Sequence, residues 1–341
     1  MNKHLKSFFV SGIVLFSVII CTIFTNTEVL AFSLENMVDD IYYDYLDDGT
    51  IEIANYLGDK TELEIPREIN GKPVTSIGSA FVGSNVEKVI IPDTVTSIGY
   101  IAFSKSESLK EVIIPDSVTE IGKAAFMGCK SLSSVKLSNK ITAIHSMAFS
   151  ECSSLTSVVI PDSVTSIEGM AFEYCKSLHD IQLPKNITNL SNTLFGYCTS
   201  LEHIDVPESV TDICFGCFSH CENLKSITLP KNLKTVESTV FSSCENLTDV
   251  YYGGGEDDWK NIDIDDSNKF LINASIRYNS AAPEKNNDEI SDTEKLSDNI
   301  SQTSTVSSNS PNNLMILFII ISVIVLGAII VVAVVVVKKN F

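Results

Sequence analysis

Residues 103–125 read FSKSESLKEVIIPDSVTEIGKAA. Leu109, Val112 and Ile114 follow an L-x-x-L-x-L spacing, which sets all three on the inner side of a short strand and its entry turn. Pro115 ends that strand, because it brings no N–H to the next ladder bond. Asp116 and Ser117 make a turn, Val118 and Ile121 point back inward, and Ala125 with Phe126 closes the coil. The same grammar recurs in Ser154-Leu155…Ile160-Pro161-Asp162 and in Asn223-Leu224…Leu229-Pro230-Lys231. Outward from this stretch a phenylalanine recurs at Phe81, Phe103, Phe126, Phe149, Phe172, Phe195, Phe218 and Phe241, with one step of 22 residues and the others of 23. A period of that length marks a solenoid, whose units bury their apolar faces only against their neighbours. Such a molecule presents a long surface, so recognition is expected before chemistry.

Six cysteines, Cys129, Cys152, Cys175, Cys198, Cys221 and Cys244, follow a ladder phenylalanine by three residues. Equivalent positions on successive coils stack in a file, which favours buried thiols acting as small, weakly hydrogen-bonding filler. Cross-coil disulfides stay open as the alternative, since a coil separation of about 4.8 Å lies within the Cα range a disulfide allows. The run Cys214-Phe-Gly-Cys217-Phe-Ser-His220-Cys221 contains a C-x-x-C of the kind found in redox and zinc sites. In register, Cys217 falls on the small residue before Phe218, Cys214 on the position of Gly99, and Cys221 on the file. Three small buried substitutions account for it without metal.

These units resemble the 23-residue leucine-rich repeats of BspA-type surface proteins, with the pattern C-x-S-L-x-x-V-x-I-P-x-S-V-T-x-I-x-x-x-A-F. The resemblance covers about residues 42–279 and seven full units. Leu46-Asp47-Asp48-Gly49-Thr50 with Ile69-Asn70-Gly71-Lys72-Pro73-Val74 resembles that family's N-terminal cap, and Tyr251-Tyr252-Gly253-Gly254 with Trp259 its C-terminal cap. Departures are few: Ser84 and Ser106 stand for the file cysteine and Ser138 for the proline. The resemblance implies a leucine-rich-repeat solenoid, mainly β with short helical turns and a parallel sheet on its concave face. It also implies adhesion to host proteins, matrix or other cells, without catalytic residues or cofactor, and it names no ligand.

The strand spacing gives the outward residue of each coil: Glu64, Ile90, Ile113, Lys136, Val159, Gln182, Asp205, Thr228 and Tyr251. With Glu111 beside Ile113, the positions from Ile90 onward form the candidate ligand-binding face. Ile90, Ile113 and Val159 gather on the N-terminal half, and an exposed apolar stripe there would mark a contact site. The plainer reading is that β-branched residues merely suit strands. Glu256, Asp257 and Asp258 with Asp263, Asp265 and Asp266 lack the glycine and order of an EF-hand loop and read as an acidic cap surface. No Ser/His/Asp set can be assembled from register. Sequons stand at Asn186, Asn189, Asn246, Asn273 and Asn299 and matter only where a host glycosylates.

The ends of the chain point to export. Residues 1–31 carry Lys3 and Lys6, an apolar run and Val29-Leu30-Ala31, the signature of a secretory signal. Cys21 would suit a lipoprotein, but Ile20 stands where a lipid-attachment signal wants a small residue. Residues 32–80 read as the N-terminal cap and first coil, 81–250 as repeats, 251–280 as the C-terminal cap and 281–313, without an aromatic residue, as a disordered stalk. Residues 314–337 are uncharged and long enough to span a bilayer as a helix. Lys338 and Lys339 then place residues 338–341 in the cytoplasm and the repeats outside. No LPxTG-like motif precedes the segment. The reading is a single-pass protein of the cell membrane, with too short a tail to signal.

The chain carries a net charge of −19. Lys3, Lys6 and Glu28 give the signal +1 and Lys338 and Lys339 give +2, leaving −22 on residues 32–313. An acidic surface repels phosphate backbones, which argues against nucleic acid as a partner. The expected partner is an extracellular protein. A passive spacer that binds nothing is the alternative, and an enzyme would need a cleft that repeats do not supply. About nine coils are expected.

Overall fold

The computed structural model describes residues 36–281. The segments expected as signal (1–31), stalk (281–313, beyond residue 281), membrane helix (314–337) and cytoplasmic tail (338–341) lie outside the described residues. No helix among the described residues is long and apolar enough to cross a membrane.

Ten short parallel strands stack one per coil: Glu62–Glu64, Lys88–Ile90, Glu111–Ile113, Ser134–Lys136, Ser157–Val159, Asp180–Gln182, His203–Asp205, Ser226–Leu229, Asp249–Tyr252 and Ser275–Tyr278. They form a six-stranded and a four-stranded sheet, divided between Asp180–Gln182 and His203–Asp205. The pairing keeps the repeat register: Glu111 faces Ser134, Val112 faces Val135 and Ile113 faces Lys136. Two-residue strands such as Ser97–Ile98 and Glu120–Ile121 pair in the same way across the body of the coil. Ten coils replace the expected nine, because Ser275–Tyr278, within the C-terminal cap, extends the parallel ladder once more against Asp249–Tyr252.

The residues read as inward are buried. Leu109, Val112, Ile114, Val118 and Ile121 are at most 1 % exposed, and all eight ladder phenylalanines are at 0 %. The phenylalanine rings stack coil on coil, from 4.8 Å between Phe81 and Phe103 to 5.9 Å between Phe172 and Phe195. Each such pair contributes about 0.5–1.5 kcal/mol beyond its burial.

The expected short helical turns are absent from the repeats, where the chain runs through successive β-turns instead. Two residues per coil lie in the left-handed region, two before and two after the phenylalanine, as at Met147 (φ 60°) and Glu151 (φ 60°) around Phe149. A left-handed residue breaks any helix, and outside glycine it costs about 1–2 kcal/mol. The gain is that the N–H groups turn toward the next coil: Glu151 donates to the Glu173 carbonyl at 2.7 Å and Phe149 to that of Ala171 at 2.9 Å. The two short helices, Glu256–Trp259 and Lys269–Ile272, belong to the C-terminal cap.

The departures from the repeat pattern are absorbed chemically. Ser138 is fully buried, and its hydroxyl donates to the Val118 carbonyl at 2.6 Å and accepts the Lys140 N–H at 3.1 Å. Ser106 donates to the Phe81 carbonyl, the bond that Cys129 makes to Phe103 at 3.1 Å and Cys152 to Phe126 at 3.2 Å. The file position therefore calls for a small donor that reaches the preceding coil's phenylalanine carbonyl. All eight described cysteines are free thiols, and all but Cys214 are buried. Burial pushes the thiols of Cys129 and Cys244 up to about 12.

The two ends are closed differently. At the N terminus, Ile41–Tyr45 and Ile51–Tyr56 form an antiparallel pair, and the second of these runs parallel to Lys72–Ile77. Asn70 (φ 52°) and Gly71 (φ 71°) supply the two left-handed residues of the tight hairpin leading into that strand. Toward the C terminus, where no ladder phenylalanine follows Phe241 among the described residues, the Asn268 side-chain carbonyl accepts the Phe241 N–H at 3.2 Å and the Ser267 hydroxyl accepts the Thr239 N–H at 2.7 Å. The Asn268 amide donates to the carbonyls of Glu237 at 2.8 Å and Asp265 at 3.0 Å.

Candidate binding face

Alternation along each strand turns its central residue inward and the flanking two outward. Ile90 is 40 % and Val159 55 % exposed, while Lys136, Gln182 and Asp205 are also exposed. Glu111, Ile113, Thr228 and Tyr251 are half-buried. Register sets Glu64 beside Ile90 and Ile90 beside Ile113, with Lys136 next in line. The apolar stripe is thus a contiguous pair, with the Lys136 ammonium between it and Val159. Farther along, Asp205, Thr228 and Tyr251 lie side by side, followed by Arg277.

The C-terminal half of this face is a hydrogen-bonded network. His203 Nδ1 lies 2.7 Å from Ser226 Oγ, and its Nε2 lies 3.0 Å from Asp205 Oδ1, which also accepts the Thr228 hydroxyl at 2.5 Å. A Ser–His–Asp set therefore does form, contrary to the expectation from register. The signal was legible: His203 and Asp205 share a strand face, and Ser226 lies one repeat after His203. The set sits on an open sheet, with the Asp205 side chain 71 % exposed. Its strand pairs in parallel with Ser226–Leu229, which pairs in turn with Asp249–Tyr252. The set bridges two coils. Next to it Arg277 donates to Asp249 at 2.6 Å and lies over the Tyr251 ring at 5.6 Å, and it holds the Asp249 carboxyl below its ordinary range.

The acidic cap residues are occupied locally. Lys260 lies 2.9 Å from Glu256 and 3.5 Å from Asp257, Asp258 accepts the Gly255 N–H at 2.9 Å, and Asp265 accepts from Ser267. Among the described residues no group of three or more His, Cys, Asp or Glu is placed to hold a metal ion. The strand pattern gave no sign of an open groove of about 460 Å³ between the last coils and the cap, lined by Glu208, Thr211, Lys231, Lys234, Asp258 and Asn261. Nor did it foretell a second stack on the turn side, in which the Tyr174, Tyr197 and His220 rings follow one another at 4.3 Å.

Residues 75–202 and 148–263 match the family described as "BspA type Leucine rich repeat region", in six copies. The chain belongs to this family. The fold is thereby a leucine-rich-repeat solenoid, as the 23-residue units implied. Among solved structures, the chain is similar to a leucine-rich cell surface protein of Faecalibacterium prausnitzii, with 22 % identity, 67 % of this chain and 97 % of that chain covered, and a TM-score of 0.41. A leucine-rich repeat protein of Bacteroides ovatus shares 24 % identity over 70 % of this chain and 77 % of its own, with a TM-score of 0.47. The leucine-rich repeat protein of T. pallidum shares 23 % identity over 72 % of this chain and 99 % of its own, with a TM-score of 0.36. No curated protein matches the chain.

Proposed function

We propose that this chain is a non-catalytic binding protein displayed at the cell surface, which holds an extracellular protein on the outward face of its strands. The observation that carries this reading is the contrast between the two sides of each strand. The inward side repeats Leu, Val or Ile coil after coil, whereas the outward side runs from Glu64 through Ile90, Ile113, Lys136 and Val159 to Tyr251 and keeps Ile90 and Val159 exposed. Apolar side chains left in water with charged neighbours suit a contact surface with a polar rim. Membrane attachment through residues 314–337 would present that face to other cells.

The test is saturable binding of cells displaying the full chain to a panel of purified host and bacterial surface proteins. A partner is expected to lose affinity by about tenfold or more when Ile113→Asp or Val159→Asp places a charge in the contact. Unchanged binding by both variants, each with wild-type thermal unfolding, overturns the face. Absence of saturable binding across the panel favours a passive spacer.

A further inference from the structure

Several coils close a hydrogen-bonded tight turn just before the phenylalanine. The N–H of the residue preceding phenylalanine donates three residues back: Ala125 to Gly122 at 3.2 Å, Ala148 to His145 at 3.1 Å, Leu194 to Ser191 at 3.3 Å and Cys217 to Cys214 at 3.2 Å. Elsewhere the third residue of that turn is left-handed without being glycine, as at Ile101, Ala124, Met147, Met170, Thr193 and Thr239. At 214–217 it is Gly216, with φ 62°, and here alone among the described coils a cysteine stands at both ends. A turn closed by this bond brings its first and fourth Cα atoms within about 7 Å, overlapping the range a disulfide requires.

The turn is also clamped from both sides. Cys214 N–H donates to the Leu190 carbonyl at 2.8 Å, the Cys217 carbonyl accepts from Phe195 at 2.8 Å, and Gly216 N–H donates to Ser238 at 3.3 Å. With the backbone held, joining the two sulfurs calls chiefly for side-chain rotation. Cys214 is half-buried and open to solvent, while Cys217 is fully buried behind it. One thiol meets a reagent and the other waits within the same turn.

We propose that Cys214 and Cys217 form a dithiol–disulfide couple, oxidised by exchange with an external disulfide. Cys214 loses its proton to solvent and attacks one sulfur of the oxidant, forming a mixed disulfide and releasing the oxidant's other half as a thiol. Cys217 then loses its proton and attacks the Cys214 sulfur, which forms the intrachain bond and releases the second thiol. Two protein thiols are oxidised and one oxidant disulfide is reduced. Burial raises the Cys214 thiol, and the carboxylates of Glu237 and Asp212 that face it act in the same direction. Burial, with Cys214 as neighbour, holds Cys217 well above the ordinary thiol range. The couple therefore reacts slowly near neutrality, at a rate rising roughly tenfold per pH unit as thiolate accumulates. Once formed, the disulfide resists reduction, since burial disfavours the thiolates more than the Asn189 side chain at Cys214 and the Leu194 and Phe195 backbone at Cys217 favour them. An exported protein meets such oxidants.

The experiment treats reduced, folded full-length protein with oxidised glutathione, followed by alkylation, digestion and peptide mass analysis. The expected product is a Cys214–Cys217 disulfide with the other thiols unmodified. Cys217→Ala is compatible with the fold, since Ala125, Ala148 and Ala171 occupy that position in other coils, and it should stop at a glutathione adduct on Cys214. Cys214→Ser, with Ser191 as precedent, should not react. The proposal is overturned if the wild type also stops at the adduct, if a disulfide forms to Cys198 or Cys221 instead, or if Cys214 stays reduced at every pH at which the fold persists.

Discussion

The middle of the stack and its C-terminal end meet the same demand by different means. In the middle, the Phe126 N–H finds the Ala148 carbonyl of the next coil at 2.8 Å. At the end, the Phe241 N–H finds the Asn268 side chain, a copy of a peptide carbonyl presented by a residue at 0 % exposure. A middle coil is thus satisfied by the backbone of any neighbour in register, whatever its outward residues. The last phenylalanine coil depends on specific side chains of the cap, Asn268 and Ser267. Repetition frees the surface to vary, and the cap removes that freedom where the repetition stops.

Phe149→Ala should break the middle most severely. It removes a fully buried ring and two stacking partners and is expected to cost about 3–5 kcal/mol in urea unfolding. A loss below about 1 kcal/mol would mean that the ladder merely fills space. Asn268→Ala should cost less, about 1–3 kcal/mol, by orphaning the Phe241 N–H and two carbonyls. Its signature is local: hydrogen exchange should quicken at Phe241 and Thr239 while Phe126 stays protected, and equal quickening along the stack would erase the distinction between middle and end.

The smallest change is expected from Cys129→Ser, within about 1 kcal/mol at neutral pH, because Ser106 already makes the equivalent bond one coil earlier. Its effect should appear in alkali. The Cys129 thiol stays protonated in the fold up to about 12 but ionises near 9.0 once the chain unfolds. Rising pH across that window therefore favours the unfolded chain, by about 1.4 kcal/mol per pH unit for each such thiol. The serine variant should lose stability less steeply there, as urea midpoints measured across the window would show. Parallel slopes for the two proteins would mean that the file does not titrate with unfolding.

The interior was legible because burial in a solenoid is a function of register alone. Phe81 to Phe241 are buried where the period put them, and so are the file cysteines. Cys214 is the exception, since its place at the first position of the turn opens it to solvent. The outward row was legible as positions, for Ile90 and Val159 do face water. Their neighbours were less so. The break of the apolar stripe at Lys136, the contact of His203 with Ser226 and the Tyr174–Tyr197–His220 stack all depend on which side chain stands in the adjoining coil and how it is turned.

By itself, the sequence determined that the chain coils, with what period and which residues lie inside, because a strict period gives every unit the same environment. Tertiary structure alone decided the left-handed turns in place of helical ones, the tenth strand, the closure of the end by Asn268 and the unequal exposure of Cys214 and Cys217. These rest on where individual N–H groups and side chains find partners, and a repeat pattern specifies that only as long as the repeat continues.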